Sequence, residues 1–351
     1  MGEEAQMQPR GIAVIGAGMG MKPHALSLCD LADRAEVIGV FSRSAERREA
    51  ARAAYGFPVS DDLDALVGDP RVDVVLVLTP PSAHLEVVRL AAAAGKSILL
   101  EKPIEHSPAR SREVVAVART AGVRLGIVLQ NRTRPNALEL GRRIARGELG
   151  ELVTASASIR WWRAQSYYDE PGRGTLARDG GGVLLTQAIH ALDLFLSLTG
   201  PVAEVSAMVG TSRTHRMECE DVVSAAIRFD NGAIGSIDAT TASFPGFPER
   251  LELVFDQATA VMTGESLMLY WRDGTIEDHS IAAGGHGGGA DPMGYSHARH
   301  RAVIEDFLDA LDEDREPLVT GEEALKVHLL IEAILASSAE QRPVRLAELD
   351  R

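Results

Sequence analysis

The sequence predicts an α/β chain. An N-terminal doubly wound parallel sheet of the Rossmann type is followed by an α+β domain with a large open, mostly antiparallel sheet. Three observations predict this. The glycine turn Gly16-Ala17-Gly18 comes directly after the apolar run Ile12–Ile15, where a parallel strand hands over to a helix. Between residues 11 and 128 strand-like and helix-like stretches alternate, as βαβ units do. Beyond about residue 130 strands follow one another, joined by hairpin signals. With 351 residues the chain is long enough for two domains, and the change of pattern sets them at 10–129 and 130–351.

Element by element, Gly11–Ile15 reads as a buried strand, Pro23–Ala32 as a helix, Val37–Phe41 as a strand and Ala45–Ala54 as an alanine-rich helix. Val72–Leu78 is continuously apolar, as a parallel strand buried on both faces must be. Ser82–Ala94 is a helix stopped by Gly95, Ser97–Leu100 a strand, Ser107–Ala121 a helix closed by Gly122, and Arg124–Leu129 a strand. In the second half, Asn136–Arg146 is helical and Val153–Trp161 alternates like a strand. An irregular stretch from Trp162 to Gly182 precedes the long apolar helix Val183–Leu198. Val202–Met208, Val222–Phe229, Ala233–Ala239, Arg250–Phe255 and Ala258–Thr263 read as strands, with Asp230-Asn231-Gly232 a hairpin turn between two of them. Ala283–Ala290 reads as a glycine-rich loop, with a substrate-gating lid as the alternative. Ser296–Leu311 and Glu322–Ser338 are amphipathic helices expected to pack back toward the first domain.

Composition narrows the function. The 36 Lys+Arg against 50 Asp+Glu leave a net charge of −14, which argues against a nucleic-acid surface. The cluster Arg132, Arg134, Arg142, Arg143 and Arg146 reads as a solvated helix face, or else as an anion contact. Cys29 and Cys219 have no disulfide or metal spacing and read as buried small residues; no metal is expected. No apolar run approaches the ~18 residues of a membrane span, and Met1–Arg10 lacks a signal-peptide core. A cytoplasmic enzyme without membrane or nucleic-acid partners is the expectation.

The chemistry gathers at the strand ends. In the glycine turn, Gly16, Gly18, Met19 and Gly20 are placed to cradle a pyrophosphate at a helix N-terminus. Met21 stands in the slot of the third fingerprint glycine. The second strand ends in Phe41-Ser42-Arg43-Ser44, without the acid that binds the ribose of NAD. Hydroxyls and a guanidinium suit a 2′-phosphate, so NADP is the preferred cofactor, with NAD still open because Glu46 is near. Thr79-Pro80-Pro81 follows the third apolar strand, with His84 beyond it as a structural or cofactor-contacting residue. Glu101-Lys102-Pro103 puts an acid and a lysine at another strand end, where the proline should hold Lys102 extended. A lysine there can exchange a proton with a hydroxyl or carbonyl while hydride moves.

Together these residues resemble the glucose–fructose oxidoreductase/inositol dehydrogenase (Gfo/Idh/MocA) family over nearly all of residues 10–349. The carriers are Gly16-Ala17-Gly18 with His24, Thr79-Pro80-Pro81 with His84, Glu101-Lys102-Pro103, Asn131-Arg132, and Gly180-Gly181-Gly182 leading to His190 and Asp193. The tail Asp306-Phe307, Arg315-Glu316-Pro317 and Gly321-Glu322-Glu323-Ala324-Leu325 is similar too. The resemblance implies oxidation or reduction at a hydroxyl-bearing carbon of a sugar, sugar derivative or cyclitol, and a homodimer or homotetramer formed through the open sheet. It implies Asn131 beside the cofactor, Lys102 as the catalytic lysine, and His190 as acid/base or substrate orienter. Many members carry Asp one helical turn before that histidine; here Thr186 stands there, followed by Gln187. That shifts weight to Lys102, leaving Asp193 as an orienter of His190 or half of a salt bridge elsewhere. Tyr167, Tyr168, Arg173, Thr186 and Gln187 are candidate substrate contacts. Two other readings remain: an enzyme that retains NAD and works without net redox, as a glycosidase or keto-sugar lyase or hydratase does, and a non-enzymatic NADPH sensor.

Overall fold

A computed structural model describes residues 8–281 and 296–349. Along the chain run β1 (Arg10–Ile15), α1 (Met21–Asp30), β2 (Ala35–Phe41), α2 (Ala45–Tyr55), β3 (Val59–Ser60), α3 (Leu63–Val67), β4 (Val74–Val77), α4 (His84–Ala93), β5 (Ser97–Glu101), α5 (Pro108–Ala121) and β6 (Leu125–Val128). Then come α6 (Pro135–Ala145), β7 (Leu152–Arg160), the short α7 (Gln165–Tyr168) and α8 (Leu176–Asp179), a π-helical turn at Leu184–Ala188, and α9 (Ile189–Thr199). β8 (Val202–Gly210), β9 (Val222–Phe229), β10 (Ile234–Thr240), β11 (Arg250–Phe255), β12 (Ala258–Thr263), β13 (Ser266–Trp271) and β14 (Ile276–Asp278) follow, then α10 (Ala298–Asp312), α11 (Gly321–Glu340) and β15 (Val344–Arg345). Two compact units result, one of residues 8–130 with 297–324, the other of 131–296 with the chain from 325 on.

The first unit is a six-stranded parallel sheet in the order β3-β2-β1-β4-β5-β6. All four residues of β4, Val74 to Val77, are buried, as its unbroken apolar run requires. Ser44, Asp62 and Ser107 cap α2, α3 and α5 by accepting from the backbone N–H groups of Arg47, Ala65 and Arg110. One core packs Ile12, Val14, Val74, Leu76 and Leu99 with Ala25 and Leu28 of α1 and Ile304, Phe307 and Leu308 of α10. The strand order reverses between β1 and β4, which opens the crevice at their carboxyl ends where ligands bind in such sheets.

The second unit is a nine-stranded sheet in the order β14-β13-β12-β11-β7-β10-β9-β8-β15. Only β7 and β10 pair in parallel; every other pair is antiparallel. Strict alternation in β9 buries Val223, Ala225, Ile227 and Phe229 and exposes Val222, Ser224, Ala226 and Arg228. The buried face packs on α9, where Phe195 meets Phe229 at 6.1 Å between ring centroids. The other face carries exposed apolar side chains, among them Met208 at 81% exposed and Ile234 at 58%.

The α/β architecture, with its parallel sheet and mostly antiparallel second sheet, is the one expected. Several details differ. The two-residue β3, one-turn α7 and α8, and peripheral β14 and β15 are too short or too irregular to show as periodicity, and the six-residue β13, which alternates in burial, was not read. Cys29 is exposed, not buried, because it lies on the outer side of α1. The arginine cluster divides: Arg142 and Arg146 are exposed as a solvated helix face requires, and with Arg143 they are met by Glu139 and Glu148, whereas Arg132 pairs with Asp193 and Arg134 with Glu249 in buried bridges. Leu176–Thr199 is long and apolar enough to cross a membrane by length and composition, contrary to the expectation that no run comes close. Its most apolar window is 83% buried inside the protein, the pattern of a core helix. The anticipated loop or lid at 283–290 lies outside the described residues.

Candidate active site

In the first unit the glycine turn has the geometry a dinucleotide needs. Gly16 sits at φ +118, and a Cβ there would come within 2.7 Å of the Leu78 carbonyl. Only glycine lets β1 and the end of β4 approach so closely. A Cβ on Gly18 or Gly20 would meet nothing within 4 Å, so the far side of the turn is open. Met19 is exposed on it, and the Met21 N–H bonds back to the Gly18 carbonyl at 3.1 Å. Met21 itself is buried in the core below α1, which explains why a large side chain fills the third fingerprint slot. Across the crevice Thr79 Oγ1 is buried without a protein partner among the described residues, a hydroxyl left for a ligand. Pro80 starts the turn into α4. His84 lies between two carbonyls, its Nε2 at 2.8 Å from Thr79 O and its Nδ1 at 3.0 Å from Ile104 O. Burial pushes this imidazole below its ordinary value, against both hydrogen bonds. His84 therefore ties the β4 turn to the loop after β5.

At the end of β2, Ser42 and Arg43 lie at the surface side of the turn, Arg43 exposed. Arg48, which the sequence reading passed over, folds back so that Nη1 donates to the Ser42 carbonyl at 2.5 Å. Two guanidiniums, not one, therefore flank this turn.

β5 stops at Glu101 and the chain bends through Lys102–Ile104, rather than running straight as the proline implies; the Lys102–Pro103 peptide is cis. Burial drives Lys102 below the usual lysine range, and the Glu101 charge opposes this only in part. Burial alone would raise Glu101. The hydrogen bond from His24 and the charges of His24, His300 and Lys102 outweigh it and hold the carboxyl at about 2. His24, Glu101 and His300 bring their ligand-type atoms within 4.8 Å of one another, a clustering of α1, β5 and α10 that no local motif announces.

In the second unit the helix leading to His190 is buried at every residue from Gly181 to Leu196 except Thr186 and His190. These two stand one turn apart, so they share the face that reaches an accessible surface. The π-helical turn Leu184–Ala188 lies just before His190, a distortion often found at functional sites. Thr186 Oγ1 donates to the Gly182 carbonyl at 2.7 Å. Both oxygens of Asp193 accept from Arg132, at 2.6 and 2.8 Å. The salt bridge expected as one role of Asp193 is present in the structure. Asn131 is buried, and its Oδ1 accepts from Arg134 at 2.7 Å.

Glu220 anchors the start of this helix. Its carboxylate accepts from the N–H groups of Gly182 and Leu184 at 2.9 and 3.1 Å, and its own carbonyl accepts from Val183 at 2.8 Å. A Cβ on Gly182 would fall 1.8 Å from that carbonyl, so the glycine is a packing requirement. Burial raises Glu220 above the usual carboxylate range despite these donors.

Tyr168 and Gln187 are drawn into a buried network: Gln187 Nε2 donates to Tyr168 Oη at 3.2 Å, which lies 2.8 Å from Thr241 Oγ1. Tyr168 packs on His215, whose nitrogens are both engaged, Nδ1 at 2.6 Å from Asp221 and Nε2 at 2.8 Å from the Arg163 carbonyl. Tyr167 is half-buried with the Arg173 guanidinium 4.1 Å from its ring centroid, while Arg173 also pairs with Glu170 at 2.7 Å. Of the candidate substrate contacts in this unit, Thr186, His190, Tyr167 and Arg173 reach accessible surface, whereas Tyr168 and Gln187 are buried. Glu220, Asp221 and His215 were not read from the sequence; the pair Glu220-Asp221 directly before a strictly alternating strand was the available signal.

Comparison with known proteins bears on the family and the fold. Residues 10–128 match the model of an oxidoreductase family with an NAD-binding Rossmann fold. Residues 137–261 match the GFO/IDH/MocA C-terminal domain, and 278–346 an oxidoreductase-family C-terminal alpha/beta domain. The chain is 28% identical to a D-apiose dehydrogenase of Paraburkholderia graminis over 346 residues, 96% of this chain and 90% of that one. It is 24% identical to an inositol 2-dehydrogenase of Rhizobium meliloti, covering 95% and 98%. The crystal structure of the WlbA dehydrogenase from Bordetella pertussis, in complex with NADH and UDP-GlcNAcA, superposes with a TM-score of 0.81 at 27% identity, over 97% of this chain and 99% of that one.

Proposed function

This chain belongs to the Gfo/Idh/MocA family of oxidoreductases, and from that premise we propose that it interconverts a hydroxyl and a carbonyl on a sugar, sugar derivative or cyclitol. The observation that carries the reading is Lys102, a lysine depressed by burial at the end of β5, in the same unit as the Gly16 turn. The Gly16–Gly20 turn and Thr79 would hold a nicotinamide dinucleotide, which when bound supplies the hydride acceptor or donor. Lys102 Nζ takes the hydroxyl proton as the carbonyl forms and returns it in reduction. Its depressed pKa keeps more of it as free amine near neutral pH, the form a general base requires. His190 and Thr186 orient the substrate hydroxyls. The names of the D-apiose and inositol dehydrogenases support a polyol substrate. Turnover of a panel of sugars and cyclitols, followed at the nicotinamide absorbance with both cofactors, tests the reading. No turnover on any polyol with either cofactor would refute it.

Cofactor choice follows from the β2 turn. Arg43 and Arg48 beside Ser42, with no carboxylate in the turn, favour NADP over NAD. Arg43→Ala should weaken NADP by about 1.5–3 kcal/mol, the worth of a hydrogen bond to a charged group, and leave NAD nearly unchanged. Titration with each cofactor checks this, and a wild-type preference for NAD would sink it. The open face of the nine-stranded sheet supports a homodimer or homotetramer; a monomer at micromolar concentration in sedimentation would count against it.

A further inference from the structure

Glu101 does more than flank Lys102. Its Oε1 lies 2.7 Å from His24 Nε2, and its Oε2 accepts the Lys102 backbone N–H at 3.0 Å. His24 stands in α1, four residues past Gly20, so the helix that opens at the glycine turn also grips the carboxylate beside the lysine. His24 Nδ1 is buried without a protein partner among the described residues. A neutral ring gains nothing by placing its proton there, so Nε2 carries it and donates to Glu101. His300, the third residue of α10, meets His24 edge to face, with ring centroids 4.9 Å apart and planes at 83°. That contact packs an α10 ring against the His24 ring. Three elements distant in sequence thus converge on one carboxylate. Among the described residues, the titratable groups that act on the Glu101–Lys102 pair are His24 from α1, His84 from α4 and His300 from α10, and Arg299 acts in turn on His300.

We propose that His24, Glu101 and His300 form one positioning unit for Lys102, which ties the lysine and its charge to the helix that opens at the glycine turn. The proposal rests on the reading of Lys102 as proton carrier. Glu101 favours the ammonium and burial favours the amine, so the carboxylate sets the pH at which Nζ is free to accept a proton. His24 keeps that carboxylate ionised and in place. None of the three exchanges a proton with substrate.

The test reads Lys102 directly. Trace acetylation of the full chain across pH, quantified on the Lys102 peptide by mass spectrometry, gives the midpoint at which its amine becomes free. Glu101→Gln should move that midpoint down by about 1–3 pH units, the effect of losing a neighbouring opposite charge. His24→Ala should move it in the same direction by less, and His24→Gln, whose amide can donate in place of the ring, should restore it. Midpoints equal to the parent's in Glu101→Gln and His24→Ala overturn the proposal. If Glu101→Gln does not fold, the His24 pair decides alone. An inactive Lys102→Met enzyme combined with unmoved midpoints removes the network and keeps the lysine. An active Lys102→Met enzyme removes the proton-carrier role, whatever the midpoints do.

Discussion

In the first unit the candidate catalytic and binding groups stand at strand ends; in the second they hang on one helix that is held by a carboxylate and a guanidinium from elsewhere in the chain. Gly16, Thr79 and Glu101-Lys102 end β1, β4 and β5, so the hydrogen-bonded ladder of a parallel sheet places them. Thr186 and His190 have no such ladder. Their helix starts where Glu220 accepts the N–H groups of Gly182 and Leu184, and it is braced at Asp193 by Arg132. The difference teaches that the first site depends on backbone geometry and the second on buried charge. The two should therefore fail differently.

The sharpest way to break the comparison is at Lys102. Lys102→Met keeps the strand and the cofactor turn but removes the proton carrier. Turnover should fall by ~10²–10⁴-fold, the usual worth of a general acid/base, while thermal stability and cofactor affinity stay close to the parent's. A Lys102→Met enzyme with near-normal turnover would leave the first unit without a catalytic role for its strand ends.

At Asp193 the opposite pattern is expected. Asp193→Asn removes the carboxylate charge from a buried bridge to Arg132, and breaking such a pair costs about 3–5 kcal/mol. Urea unfolding should show this loss. Cofactor affinity should stay intact, because the glycine turn belongs to the other unit. An Asp193→Asn protein as stable as the parent would mean that the pair braces nothing.

Acid compares the units directly. Burial holds His300 of the first unit and His328 of the second at about 4. An unfolded histidine titrates near 6.5. Between those values the unfolded chain binds the extra proton, so stability is fully present above pH 6.5 and is lost as pH falls toward 4. Each ring contributes at most roughly 3 kcal/mol by this route. Glu220 runs the other way: its raised value makes stability fall as pH rises above the ordinary glutamate value of 4.5. Urea midpoints between pH 7 and 4 should drop in the parent and drop less in His328→Leu. An unchanged slope in that variant would show that His328 is not held neutral by the fold.

What was legible in the sequence follows the same division. The strands β1, β4 and β5 announce themselves as short apolar runs, and the motifs at their ends keep fixed offsets, so Gly16, Thr79 and Lys102 could be placed from spacing alone. The nine-stranded sheet was legible where alternation is strict, as in β9, and not in the short outer strands β14 and β15. The supports of His190 were not legible, because Glu220 lies 38 residues and Arg132 61 residues from the groups they hold. Nothing local tells a buried, paired arginine from a solvated one, and so Arg132 and Arg134 were read as surface. The same limit hid His300, which reaches Glu101 and His24 only because α10 returns to the first unit.

The smallest expected effect bears on the Asp that Thr186 replaces. A carboxylate one turn before His190 would favour an imidazolium and suit a proton relay; a hydroxyl that donates to the Gly182 carbonyl offers neither charge nor a second proton. With Lys102 carrying the proton, His190 needs only to present a ring nitrogen to a substrate hydroxyl. His190→Asn keeps a polar group but shortens its reach, so KM should rise by about tenfold, near the ~1.4 kcal/mol of one net hydrogen bond, with kcat within a few-fold of the parent. Thr186→Ala should shift KM in the same direction by less, since its hydroxyl is partly committed to the helix backbone. The pH–rate profile separates this from the alternative. Under the lysine assignment the acidic limb of the oxidation profile, where Nζ becomes protonated, stays in place in His190→Asn and disappears in Lys102→Met. If His190→Asn instead abolishes turnover while Lys102→Met retains it, the helix rather than the strand end carries the proton, and the second unit holds the catalytic group despite the missing Asp.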